Sequence, residues 1–416
     1  MKKTIIYLLI ILPLLTNAQK KLDSINHNIS VINYLTIESD DLNTEFLNMM
    51  LFGGFITDEM KDNWIDNGDD NNRLNAELTN KIEYKFSSNQ LTSYYFQFAD
   101  INLINSAFKD DLLKLVLHGN YNYQDETLDF SNTIIRADRY QQYKFGYNYH
   151  IYQKENVFQI NTAISYLRGN HHAQFNINRG TLHTSNLGTD LDLDYNIKSM
   201  ITDTSRFSIF NGNGNGVAMD FSIHFNKGLK ESYEVKIRDL GYISWNNNSI
   251  ISNTDSSFNF TGIELEDLNN IQQFNDSVMD ISFNNTKTKF RSFIPARITL
   301  SYSRNLEHKY FQTLLIASHS RWQPYEVKGG VNWDLFTRGF SESGYNTSLD
   351  IMTNIDLTYL YSTIGFSVGG FTDETNIHFA LSDKKHFFTI GTYHLNKLFN
   401  DDKTSISGYI ILSRKF

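Results

Sequence analysis

Two-residue alternation, repeated in segments of nine or more residues, limits this chain to long strands with one apolar and one wet face. Over 143–151 the odd positions are Tyr143, Phe145, Tyr147, Tyr149 and Ile151, and between them stand Lys144, Gly146, Asn148 and His150. Phe158, Ile160, Thr162, Ile164 and Tyr166 alternate with Gln159, Asn161, Ala163 and Ser165. Val217, Met219, Phe221, Ile223 and Phe225 alternate in the same way with Ala218, Asp220, Ser222 and His224. Shorter copies recur over 82–86, 94–98, 191–197, 233–237, 298–302 and 364–368, separated by Asn, Gly and Asp clusters of the kind that form turns.

Segments of nine or ten residues are longer than the usual strand of a soluble sheet and suit a tilted crossing of a bilayer. The chain is 14% aromatic, with 24 Tyr and 31 Phe, as a barrel with ring girdles and a polar interior requires. Only 3 Pro interrupt it, and with no Cys its stability must come from strand pairing and closure. The expected fold class is all-β, a transmembrane antiparallel β-barrel. A periplasmic β-protein that does not insert is the alternative.

The chain starts Met1-Lys2-Lys3, runs apolar over 5–15 with a break at Pro13, and reaches Thr16-Asn17-Ala18 before Gln19. This is the pattern of a secretory signal peptide over 1–18, and no Cys follows it to carry a lipid. No later run is apolar for the length that a membrane helix needs. The last segment, 408–416, alternates and stops on Phe416, which resembles the signal read by the outer-membrane barrel assembly machinery. Arg414 falls on the same side as Ile410, Leu412 and Phe416, a place it can hold by snorkelling to the interface. Expected partners are therefore outer-membrane lipid and that machinery, and the expected location is the cell outer membrane. The 37 basic residues against 46 acidic ones argue against nucleic acid.

Two stretches do not alternate. Over 40–66, two short helical pieces flank a hinge at Gly53-Gly54. Over 246–290 the chain is a long polar insertion, with helical spacing only at 265–271. The domain reading is a signal over 1–18, an N-terminal segment over 19–80 and a barrel over 81–416.

The chemically suggestive motifs are weak. The Asn-Gly run over 211–216 leads into a strand, whereas a phosphate cradle leads into a helix. Asp190, Asp192 and Asp194 begin like a calcium loop, but Tyr195 stands where that loop needs glycine. Strand periodicity instead puts the three carboxylates on one face, at the lumen or rim. His171 and His172 are adjacent, so they point to opposite faces and share no metal. Asp220, Ser222 and His224 share a wet face, but a hydrolytic triad is defined by geometry, which spacing does not supply. No catalytic residue, metal or cofactor is expected, and the chain reads as a non-enzyme.

Gly212, Gly214, Gly216 and Asp220, followed by Lys236, Asp239, Leu240, Gly241, Ile243 and Trp245, form a pattern. It resembles a Bacteroidota outer-membrane family of unknown function, itself similar to FadL-like transporters and to the PorV and PorP/SprF barrels of type IX secretion. The resemblance spans most of the chain and implies about 14 strands, within the bacterial range. It brings no catalytic residues. Its FadL side implies that the stretch around Gly53 and Gly54 folds inside the barrel as a helical hatch. The function expected is passage of a small or hydrophobic solute, or an accessory role in type IX secretion or surface assembly with a protein partner. An outer-membrane lipid hydrolase is the enzyme alternative.

Overall fold

The computed structural model describes residues 26–39, 42–43, 45–47, 49, 53–66, 68, 72–203, 212–260, 285–308, 310–322, 346–372, 375–399 and 405–416. The expected signal peptide and the helical spacing at 265–271 lie outside the described residues.

Fourteen strands close a ring. In order around it they are β1 (Asn26–Ser39), β2 (Asn72–Ser87), β3 (Thr92–Phe108), β5 (Thr133–Gln153), β6 (Asn156–Thr184), β8 (Gly214–Lys227) and β9 (Glu231–Trp245). The ring continues through β13 (Ala296–Asn305), β14 (Phe311–Trp322), β15 (Asn346–Asp356), β16 (Leu360–Gly370), β17 (Thr375–Asp383), β18 (Phe388–Thr392) and β19 (Ser405–Lys415). Every neighbouring pair is antiparallel, and β19 pairs with β1 from Asn28↔Lys415 to Glu38↔Ser405, which removes the open edges.

The alternating faces sort as the pattern requires. Met219, Ile164, Phe96 and Phe366 point outward and are exposed, while Ala218, Ser165 and Lys144 on the opposite faces are buried. An apolar band facing outward around a closed ring is the surface a bilayer stabilises and water does not. Rings are in contact along one rim. Tyr84, Phe86, Tyr94 and Tyr147 form one chain and Phe158, Phe225, Tyr233 and Tyr302 another, with centroids 4.4–6.2 Å apart. At that end strands join by turns of two to five residues. The connections at the other end are long, except at 371–374.

The domain boundary at 81 needs correction, because β1 and most of β2 precede it and belong to the ring. The hatch needs correction too. Residues 45–47 and helix α1 (Asp58–Asp66) are helical on either side of Gly53 (φ +74°) and Gly54 (φ +157°). Their apolar side chains, Leu42, Phe46, Leu47 and Trp64, pack against helix α2 (Asp110–His118) at Leu113 and against Ile37, Leu74, Ala76 and Phe108. Ile37, Leu74, Ala76 and Phe108 share the outward parity of Leu35, Leu78 and Ile104, so the helices cover the outside of the rim rather than the bore.

The polar insertion is not wholly a loop. It contains β10 (Ile250–Phe260), β11 (Asn285–Lys287) and β12 (Phe290–Phe293). β12 continues the pairing of β13 with β9. β10 pairs with β7 (Leu191–Ile201), which pairs with the far half of the 29-residue β6, and β4 (Thr127–Asp129) joins at the other side. These strands make a flap standing beyond the ring at the long-loop end. One stretch of wall is interrupted, because β18 gives way to a 3-10 turn (Leu395–Phe399). There the Asn396 side chain accepts from Ile377 N and donates to Thr375 O, so the β17 edge remains hydrogen-bonded.

Candidate functional site

The inward faces enclose a bore of about 740 Å³ whose lining includes seven acidic and seven basic side chains. Two charged clusters organise it. In the first, Lys144 of β5 donates to Asp220 of β8 at 2.5 Å and to Asp239 of β9 at 3.0 Å, and Gln142 donates to Asp239 at 2.7 Å. Their positions follow from a β-bulge. Pairing jumps from Met219↔Leu240 to Phe221↔Ile237, so Asp220 faces both Arg238 and Asp239. Asp239 takes φ +60°, tolerable for Asp, and its freed backbone N–H donates to Asp220 Oδ1 at 2.8 Å. Asp220 thus caps the bulge and, with Asp239, neutralises Lys144.

The second cluster crosses the bore. Glu77 of β2 accepts from Arg297 of β13 at 2.5 Å and from Arg321 of β14 at 3.1 Å. β2 and β14 are seven places apart in a ring of fourteen, the greatest separation the ring allows. For a Glu and an Arg to meet across it, the walls must approach closely, so the bore is flattened and narrowed at this level. Charge-assisted pairs of this kind are strong where water is scarce, and the Glu77 side chain is 3% exposed.

Toward the long-loop end one side of the bore is filled. Trp245, Ile243, Leu167, Tyr140 and Phe290 pack together. Beside them Arg136 donates to Asp138 at 2.6 Å and to Phe293 O at 2.6 Å, and His172 meets Asp138 at 2.7 Å. The motif glycines serve this packing. A Cβ at Gly214 would lie 2.8 Å from the Trp245 ring, and one at Gly216 would lie 2.1 Å from Tyr242 O. At Gly241 it would lie 2.2 Å from Val217 O, whereas at Gly212 it meets only the flexible Arg168 side chain. The pattern Gly214, Gly216, Asp220, Asp239, Gly241 and Trp245 is therefore one construction, the close β8–β9 contact with its bulge.

The other expected residues scatter. His224 lines the bore, but its Nε2 pairs with Asn226 Oδ1 at 2.7 Å, and Asp220 is held by Lys144, so no Ser222–His224–Asp220 relay forms. Asp192 and Asp194 leave the bore altogether. They sit on the flap, where Asp192 takes the Asn259 amide and Asp194 takes Arg179, which also bonds Asp255 at 2.8 Å. Asp190 precedes β7 and accepts from Thr189, so the three carboxylates do not share one strand face. Among the described residues no three His, Asp or Glu side chains gather as metal ligands. His172 is buried in the inner packing. Glu77, Arg297 and Arg321 were not visible as a site, because each lies alone in its strand and only the ring order brings them together. Lys144 carried a signal, a charge on the wet face of the cleanest alternating strand.

The model of a family of unknown function, DUF5723, matches residues 9–368. No curated protein matches significantly. Among solved structures, a toluene transporter of Ralstonia pickettii, TbuX, is 8% identical over 95% of this chain and 90% of its own, with a TM-score of 0.41. A FadL homologue of Pseudomonas aeruginosa is 8% identical over 95% and 90%, with a TM-score of 0.37. The translocator domain of the autotransporter NalP from Neisseria meningitidis is 7% identical over 100% and 95%, with a TM-score of 0.34. At such identities and scores these likenesses carry no argument about a role for this chain.

Proposed function

The chain belongs to DUF5723, a family of unknown function, and from that premise we propose that it is an outer-membrane barrel passing small polar solutes through a narrowed, charge-lined bore. The observation that carries this reading is the Glu77 bridge to Arg297 and Arg321, which spans the bore with ions rather than apolar side chains. An apolar solute would have to strip water from charged groups without replacing it, which costs several kcal/mol per unsatisfied polar group, on the order of 2–7. The balanced lining favours neither cations nor anions strongly. Short turns at the girdled rim support a periplasmic position for that rim and an extracellular one for the flap.

Reconstitution of the refolded chain into planar bilayers tests it. Small unitary conductance with weak ion selectivity is expected, and a conductance that rises in Glu77→Ala. If neither the intact barrel nor that variant conducts, the passage role falls. One observation favours a second reading, an accessory role in surface assembly. The β4–β6–β7–β10 flap presents a broad sheet beyond the bilayer. Co-purification of a stoichiometric partner from mild detergent extracts, lost when the flap hairpin is shortened, is what that reading requires.

A further inference from the structure

We propose that the outer wall over β2, β3, β5, β6 and β8 holds one acyl chain of a membrane lipid in a dedicated groove. The outer surface of a barrel is ordinarily convex, but here it carries an open hollow of about 640 Å³. Six rings surround it, Tyr84, Phe96, Phe98, Tyr143, Phe145 and Tyr166. They support one another: Phe96 lies 5.0 Å from Phe145, Phe98 5.2 Å from Tyr143 and Tyr143 6.1 Å from Tyr166. Gln97, Lys144 and Ser165 also border the hollow, although the Lys144 and Ser165 side chains bond inside the bore. Their contribution outside is therefore main chain.

The cause lies on the other side of the same wall. Gln142 and Lys144 are tied inward to Asp239 and Asp220, and Glu77 is tied across to Arg297. These ties hold the polar side chains on the inner face, so only main chain floors the space between the tall rings. Two of its three phenols are already satisfied, Tyr84 by His27 at 2.6 Å and Tyr166 by Asn215 at 2.5 Å, so apart from the Tyr143 hydroxyl the side chains around the hollow offer it mainly apolar surface. The groove is continuous with the lipid-facing band, above the ring chain of Tyr94 and Tyr147 and below Ile104. At that depth the surrounding medium is hydrocarbon, and an extended chain fits a groove that crosses five strands. Burial of apolar surface is not the drive there, since lipid tails are equally apolar. Ring-to-chain dispersion and shape hold the occupant.

Native mass spectrometry of the folded barrel after exhaustive detergent exchange decides the matter. One retained lipid per barrel is expected in the wild type and in Leu349→Ala/Phe366→Ala, which alters the opposite wall. Loss is expected in Phe96→Ala/Phe145→Ala, with each variant first shown to be closed by its shift on boiling. Equal retention in both double variants means ordinary boundary lipid only and overturns the site. A dimer that disappears with Phe96→Ala/Phe145→Ala overturns it in favour of a second copy of the chain. A wild-type spectrum without retained lipid overturns it whatever the variants do, including a variant that fails to close.

Discussion

Glu77 and Asp220 are both carboxylates on the inner face of the barrel, yet one reaches across the bore and the other reaches along its wall. Glu77 meets arginines on strands at the far side of the ring, so its bonds set how close two walls stand. Asp220 meets Lys144 two strands away and the backbone of Asp239 on the next strand, so its bonds set the shape of one wall. The same chemistry therefore has two consequences, and strand order alone decides which. Residue type says that a pair is strong, whereas topology says what it holds apart or together.

Substitutions separate the two roles. Glu77→Ala should have the largest effect, because it strands two guanidinium groups. A cost of about 3–5 kcal/mol applies to a dry site and is an upper bound for a bore that admits water. It should lower the denaturant midpoint and raise conductance at least about twofold as the walls part; an unchanged conductance would show that the bridge is not the constriction. Lys144→Met removes the cation between two carboxylates and should cost about 2–4 kcal/mol in the same unfolding assay. Its conductance should change less than that of Glu77→Ala, and the opposite order would break the comparison. Asp220→Asn keeps an acceptor for the Asp239 N–H and loses only charge, so about 1–2 kcal/mol is expected, with Asp220→Ala costing more.

The smallest effect belongs to a pair outside the membrane. Lys109 bonds Asp129 beside α2, in the connection leading to the flap. Burial alone would raise the Asp129 carboxyl, but the Lys109 ammonium and Ser131 outweigh it and hold it down at about 2. A depressed carboxyl stabilises the fold above its unfolded value of 3.8, and that support is lost as the pH falls toward 2. Pepsin cleavage over 110–132, normalised at each pH to cleavage of an unfolded substrate, should therefore accelerate between pH 3.8 and about 2, and should accelerate less in Asp129→Asn. The pair is partly exposed, so added salt should mimic much of the effect.

The membrane-spanning strands were legible in the amino-acid order because a bilayer outside and water inside enforce one apolar and one polar face. β5, β6 and β8 carry that pattern at full length. β10 was not legible. Its sequence, Ile-Ile-Ser-Asn-Thr-Asp-Ser-Ser-Phe-Asn-Phe, pairs with β7 beyond the bilayer, where no apolar band is imposed. The helices around Trp64 were visible as helices, but not which side of the wall they would cover. That depended on outward Leu74 and Phe108 needing cover at the rim, a fact of parity and register. The glycine and tryptophan pattern was visible as a motif, while its meaning, a bulge and a close strand contact, required φ at Asp239 and the register of β8 on β9.

The closing contact between β1 and β19 has a kinetic consequence. Ser30 bonds Ser413 across 383 positions of sequence, whereas most other neighbours in the ring are joined by a hairpin or a single loop. Local hairpins can form early and reversibly, but this pair carries the largest loop-closure entropy in the molecule. Until it forms, two strand edges remain open to pair with another chain. Assembly is therefore most vulnerable in its last step, and a catalyst that holds either terminal strand in place shortens the interval in which the barrel can aggregate.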